Sequence, residues 1–386
     1  MNASAYGVRR NSVFCGGMAG GGRVTLRDAT LRTPAEDADI LVVTRHFALR
    51  WGGAEHSLAA ILDELRTVRP SWTWSVSDGG FDPPHTLRRL PLLQLVLRRR
   101  ELQESAANFR GRLALVQSLV GPTLLNALPR SVLAVYFARD VRYWGEWCNH
   151  ERGIRRAVKG LYQLAQAPLV ALYRRDVQRA LSRANLVVAN SNFMAERLRA
   201  FSGREALVVY PRTPLATLPL PEAGAVVGMV GDGADKGGHV LRALALRFPE
   251  ITFRVHARAS ALSALPSNVV FAGWESDPAR LYQGLRLMLV PSQVAEAYGR
   301  VALEALGFGV PALVSRVGGL PETVPDPSWT VADYGNAEAW CSAFADAFAE
   351  APNRRQAAYE FATVRQRTVD EQHQQLVQRI LALGGE

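Results

Sequence analysis

The segment from 287 to 315 constrains the fold more than any other part of this chain. An apolar run at 287–291 gives way to a polar loop, a short helical pattern, a Gly309-Val310-Pro311 turn and a second apolar run at 312–315. Short apolar runs bounded by turn residues read as buried strands, and the pattern between them as a helix. Strands that alternate with helices build a parallel, doubly wound sheet. In such a sheet the loops after the carboxyl ends of the strands line the ligand crevice. Two acids stand in this unit at E-x7-E spacing, Glu296 in the loop and Glu304 on the helix. A carboxylate there can accept hydrogen bonds from sugar or ribose hydroxyls. A helix N-terminus beside it offers free N–H groups to a phosphate.

The same alternation runs through most of the chain. Strands are predicted at 40–44, 72–77, 132–137 and 186–191, with 206–210 closing a first unit. A loop at 51–55 leads into an amphipathic helix on which Leu58, Ile61, Leu62 and Leu65 share a face. Pro211, Pro214, Pro219 and Pro221 mark a linker at 211–223. A second set of strands follows at 226–230, 251–256, 269–273, 287–290 and 311–315, and 337–383 reads as mostly helical. The predicted division is a disordered leader at 1–37, a first domain at 38–210 and a second at 224–365. The leader is rich in Gly, Ser, Arg and Ala and keeps no sustained period. Its glycine cluster at 16–22 stands between no strand and helix, so it does not read as a phosphate loop.

Composition narrows the class. The chain is 48% hydrophobic and 21% charged, as expected of a core-forming globular protein. No apolar run approaches the length of a membrane-spanning helix, and no apolar stretch follows Arg9 and Arg10 to make a secretory signal. Cys15, Cys148 and Cys341 are far apart and odd in number, which fits a reducing compartment and a cytoplasmic setting. The net charge of +10 concentrates in two places. One is 86–100, ending in Arg98-Arg99-Arg100. The other is a long helical pattern at 152–183 with Arg155, Arg156, Lys159, Arg174, Arg175, Arg179 and Arg183. Both mix Arg with bulky aliphatics, which suits either an anionic membrane surface, on the inner face of the membrane, or a solvated basic face on packing helices. Aromatics interleaved with the basic residues, as single-stranded nucleic acid would require, are not evident, so no nucleic-acid partner is expected.

The E-x7-E segment resembles the group 1 family of retaining glycosyltransferases with the GT-B fold. The match includes Pro291-Ser292, Glu296-Ala297-Tyr298-Gly299, Glu304-Ala305, Gly309-Val310-Pro311 and Gly318-Gly319-Leu320-Pro321-Glu322. It extends over about 38–386 and is strongest at 287–323. The resemblance implies two doubly wound Rossmann-like domains facing a cleft, with the closing helix at 366–386 crossing back onto the first. It implies transfer of a sugar from a nucleotide-diphosphate donor to a glycan or lipid-linked acceptor, with retention at the anomeric carbon.

By the same resemblance Glu296 contacts the donor sugar and Glu304 the ribose. Ser292, Ala297, Tyr298 and Gly299 complete that loop. Lys236-Gly237 resembles the family's diphosphate-binding Lys-Gly pair. The family's upstream Arg is absent, and Asp232 occupies about its place. Arg212, Arg258 and Arg316 are the candidate substitute cations. Gly52, Gly53 and Glu55 resemble the first-domain glycine loop near the diphosphate and acceptor. Arg139-Asp140, at a strand end, is placed to touch acceptor hydroxyls or to form a structural ion pair. Ser191 matches a small polar residue common at a strand terminus in relatives. The catalytic assignment is Glu296, Lys236 and Asp140.

No cofactor beyond the donor is expected. Asp37-Ala38-Asp39 is the one tempting D-x-D, and it precedes the first strand instead of ending a later one. The His residues show no metal-ligand spacing, and no Ser-His-Asp or Cys-His signature is legible. Two other classes stay open: an epimerase or phosphorylase on the same fold, and a catalytically impaired GT-B domain acting as a partner in glycan assembly. Asp232 motivates the second.

Overall fold

The computed structural model describes residues 38–44, 53–77, 91–140, 154–220, 222–258 and 265–385. The predicted leader at 1–37, Gly52, and Arg88 and Arg89 of the first basic cluster lie outside the described residues. Of Gly53, Glu55, Arg155, Arg156 and Lys159 only the backbone is described.

Among the described residues the first domain holds six strands: β1 Ile40–Val43, β2 Trp74–Ser77, β3 Leu113–Val116, β4 Leu133–Ala138, β5 Leu186–Ala189 and β6 Leu207–Val208. They pair in parallel in the order β2-β1-β3-β4-β5-β6. Its helices are α1 Gly53–Val68, α2 Pro91–Leu97, α3 Arg99–Ala107, α4 Gly121–Ala127, α5 Ile154–Arg183 and α6 Asn192–Ser202. The second domain also holds six parallel strands: β7 Val226–Val230, β8 Phe253–His256, β9 Val269–Phe271, β10 Leu285–Val290, β11 Ala312–Ser315 and β12 Thr330–Val331. Their order is β12-β11-β10-β7-β8-β9, with α7 Gly238–Arg247, α8 Pro278–Tyr282 and α9 Arg300–Gly307 between them. α10, Ala337–Gly384, closes the chain.

All four residues of β1 and of β3 are buried, as befits strands covered on both faces. The second sheet has the doubly wound order in which the chain reverses direction between β7 and β10. In the first sheet the reversal falls between β1 and β3. These two points fix where ligand crevices open.

Three sequence expectations change. Gly53 and Glu55 belong to the first turn of α1, not to a loop before it. β3, central in its sheet, is missing from the predicted strands because its run Leu-Ala-Leu-Val is too short to separate from a helical pattern by period. β12 is shorter still.

α10 serves both domains. Its first turns bury Trp340, Phe344 and Ala347 against the second sheet, in one core with Val240, Leu241 and Phe253. Its last turns place Leu376, Val377 and Ile380 in one core with Ile40, Val42, Leu58 and Leu62 of the first domain. Gln372 Oε1 accepts from Tyr210 N at 3.0 Å and Gln366 Oε1 from Thr213 N at 3.3 Å, so the helix also binds the linker.

Candidate active site

The reversal between β7 and β10 brings two loops together. The loop after β7 carries Asp232, Lys236 and Gly237, and that after β10 carries Ser292, Gln293 and Glu296. Gln293 N donates to Asp235 O at 2.8 Å and ties the loops to each other. Lys236 Nζ donates to Glu296 Oε1 at 2.7 Å, and Ser292 Oγ donates to the same oxygen. The lysine side chain stays 39% exposed and the glutamate 19%, so the pair is oriented yet open to a ligand.

Two glycines make this approach feasible. Gly237 has φ +84, and a Cβ there would stand 2.2 Å from Pro291 O. Gly299 has φ +96 and occupies the N-cap of α9 without a side-chain cap bond. A residue with a side chain would be strained at both. With no side-chain cap, this helix start presents the positive end of the α9 macrodipole to an anion. Gly319 N donates to Glu296 O at 2.8 Å, so the Gly-Gly-Leu-Pro-Glu turn holds the loop from behind.

Glu304, one turn into α9, pairs with Arg300 Nη2 at 2.7 Å and accepts from Tyr282 OH at 3.1 Å. Burial, reinforced by that carboxylate, holds the Tyr282 phenol well above its usual range. Tyr298 is 2% exposed and packs against Tyr210, the rings tilted by 35° with centroids 5.2 Å apart. Its side chain is a packing group, so a ligand reaches this position through backbone. Asp232 is buried at 2%.

Arg212 is not brought to this set. It pairs with Glu64 of α1 and with Asp370 of α10, the latter at 3.0 Å. Arg316 Nε donates to Thr330 Oγ1 at 2.9 Å, and Arg258 lies over Trp274 at 5.2 Å. On the first domain Arg139 and Asp140 follow β4, with the Arg139 guanidinium 5.1 Å from the Phe137 ring.

The two domains meet at this loop. Ser191, the N-cap of α6, accepts from Met194 N at 3.0 Å and donates to Ala297 O. Glu322 caps the same helix from the opposite domain: its carboxylate accepts from Asn192 N at 2.9 Å and Phe193 N at 2.8 Å. It also accepts from Tyr210 OH at 2.8 Å. Burial and this bond push the Tyr210 phenol up to about 12. Negative charge at a helix N-terminus is favoured by the macrodipole.

Residues 254–363 match the family model of glycosyl transferases group 1. A D-inositol 3-phosphate glycosyltransferase of Segniliparus rotundus is 37% identical over 89 residues, 22% of this chain and 19% of that protein. That match thus spans about a fifth of the relative's length. Among solved structures, HepE of Anabaena with UDP and glucose has a TM-score of 0.63 at 19% identity, covering 89% of this chain and 99% of that one. Sucrose-phosphate synthase of Thermosynechococcus elongatus has a TM-score of 0.66 at 16% identity, covering 88% and 97%. Within the second domain, residues 254–363 match group 1 glycosyl transferases, and the described residues have the GT-B fold.

In this GT-B protein, several polar groups escape sequence reasoning. Gln117 and Ser118 follow β3 at the first sheet's reversal point. Gln117 Nε2 donates to Thr44 Oγ1 at 2.8 Å, and Ser118 has φ +83. His256 and Ser315 end β8 and β11, both buried, with side-chain polar atoms that have no hydrogen-bond partner among the described residues. The signal that could have found them is position: each ends a strand or stands just past its carboxyl end. Among the described residues no three His, Cys, Asp or Glu side chains group as metal ligands, and no helix is long and apolar enough to cross a membrane.

Proposed function

We propose that this protein transfers a sugar from a nucleotide-diphosphate donor to a hydroxyl of a glycan or lipid-linked acceptor, with retention at the anomeric carbon. The observation that carries the reading is the Lys236–Glu296–Ser292 set at the reversal point of the second sheet, beside the uncapped start of α9. The second domain, 224–365, holds the donor. The first, 38–210 with the closing helix at 366–386, takes the acceptor.

Chemically, the bond between the anomeric carbon and the leaving phosphate oxygen breaks as the acceptor oxygen approaches from the same face. The departing diphosphate gains negative charge, which Lys236 and the α9 N–H groups stabilise. Preorganised donors aimed at developing charge are typically worth about 10²–10³ in rate each. The leaving oxygen takes the acceptor proton. Glu296 orients the sugar, and Glu304 accepts from ribose hydroxyls at the expense of its present partners. Arg139, Asp140, Gly52, Gly53 and Glu55 belong to the acceptor side. The basic helices seat the enzyme peripherally on an anionic membrane face, from the cytoplasm.

A calorimetric and thermal-shift screen against UDP-, GDP-, ADP- and TDP-sugars tests the donor half. One nucleotide class should stabilise the protein, and Lys236→Ala and Glu304→Ala should abolish that. An inverted anomeric product by NMR would sink the retaining mechanism. A second reading rests on Asp232, a buried acid where the family has an Arg. In it the protein binds donor without turnover, and normal donor affinity with no transfer to any acceptor would favour it.

A further inference from the structure

A second cavity lies at the far end of the first domain, and the transfer reaction does not use it. Its volume is about 920 Å³, and Arg99, Arg130, Arg175, Arg179 and Arg183 line it. Val132 and Asn185, immediately before β4 and β5, stand in its wall. The cleft faces the carboxyl ends of those strands. At about 3.3 Å per residue, β4 alone separates the two sites by roughly 20 Å.

The cavity is built from two walls. Arg175, Arg179 and Arg183 recur every fourth residue along α5 and so share one face. Arg99, at the start of α3, and Arg130, just before β4, approach from the other side. No carboxylate is in the lining. Asp176, buried beneath, has both oxygens taken by Arg99 at 2.6 and 2.7 Å. Among the described residues Arg130, Arg175 and Arg179 make no ion pair. Arg183 Nη2 donates to Pro129 O at 2.7 Å, whereas Nη1 is buried with no partner. Burial lowers the Arg183 pKa, and Arg130 lowers it further by like-charge repulsion.

A guanidinium that is desolvated beside another cation and left short of an acceptor is costly unless an anion completes it. The planar fork matches phosphate oxygens two at a time. The volume exceeds what one phosphate fills and falls in the range of small-molecule sites. We infer that this cavity binds a ligand bearing two or more phosphate groups, at a site separate from the donor cleft. Such a ligand is either a soluble polyphosphorylated solute or a cluster of anionic phospholipid headgroups. Leu161 and Leu164, earlier on α5, are 68% and 71% exposed and would suit the second source.

The test titrates tripolyphosphate into the full chain saturated with UDP, so that the donor cleft is occupied. One-site binding is expected, weakened at least ten-fold in Arg175→Ala/Arg179→Ala. The control Arg242→Ala/Arg247→Ala, which removes equal charge from the second domain, should bind as the unmodified protein does. If UDP does not bind, the nucleotide diphosphate picked out by the donor screen takes its place; if none of the four binds, the donor reading fails and the titration, run without nucleotide, still tests the cavity. Flotation with phosphatidylglycerol vesicles separates the sources. Vesicle binding lost in the cavity variant and displaced by tripolyphosphate identifies headgroups. Vesicle binding unaffected by the variant, with tripolyphosphate binding lost, identifies a soluble ligand. Equal losses in both double variants, or no binding of either probe, would overturn the site.

Discussion

Glu296 is held by a lysine and a serine on one oxygen, and its second oxygen is the one assigned to the sugar in the proposed function. Replacing it by Ala should leave affinity for the free nucleotide unchanged while transfer falls by about 10²-fold or more, a split that separate binding and turnover assays measure. Ser118 is a second residue whose conformation carries information. It has the sole positive φ outside glycine among the described residues, and its Oγ is buried without a partner. Ser118→Gly should therefore fold with stability within about 1 kcal/mol of the parent. Ser118→Val, β-branched at the same φ, should lose about 1–3 kcal/mol in denaturant unfolding. His373 is fully buried on α10, 3.9 Å from Glu64 and near Arg212, Asp370 and Arg139. Burial pulls its imidazole down to about 4 from 6.5. The unfolded chain thus binds the proton more readily, and stability falls as pH drops from 6.5 towards 4. The linked loss is about 3 kcal/mol. Chemical denaturation at pH 7 and pH 5 should show this slope, and His373→Gln should flatten it.

At the scale of elements, α10 is the strut that joins the domains. Leu376 is wholly buried with Ile40, Val42 and Leu58, so Leu376→Ala should cost about 2–5 kcal/mol. Differential proteolysis should find the first domain loosened while the second, held by Trp340 and Phe344, keeps its protection. The elements also show what a linear reading can see. β1, β4, β5 and β7 to β11 stood out because apolar runs alternate with helical patterns. β3 did not, although it is the centre of its sheet. Its backbone pairs with β1 and β4 and its side chains are buried under helices on both faces, and none of these neighbours is visible in a run of four residues.

For the whole molecule, polar contacts between the domains cluster at the loop after β10 and the turn behind it, beside the Tyr210–Tyr298 ring contact. Glu322 of the second domain caps α6 of the first and accepts from Tyr210, while Arg365 Nη2 donates to the Glu322 carbonyl at 2.9 Å. Removing the carboxylate strands two helix N–H groups and a phenol. Glu322→Ala should therefore widen the solution ensemble, seen as a larger radius of gyration in X-ray scattering and faster cleavage in the linker at 211–223. Unchanged scattering would mean that α10 alone sets the domain orientation.

The sequence by itself determined the doubly wound class and brought out the proposed donor-side residues. Lys236-Gly237, Ser292, Glu296, Gly299 and Glu304 fall in short motifs, because groups that share a loop or a helix start come from neighbouring positions. Only the tertiary structure decided what lies across chain distance. It paired Glu322 with α6, engaged Arg212 with Glu64 and Asp370, placed Gly53 and Glu55 inside a helix, and walled a cavity with arginines from α3, α5 and the turn before β4. Such contacts depend on how sheets and helices pack, and packing brings together residues that no local pattern links.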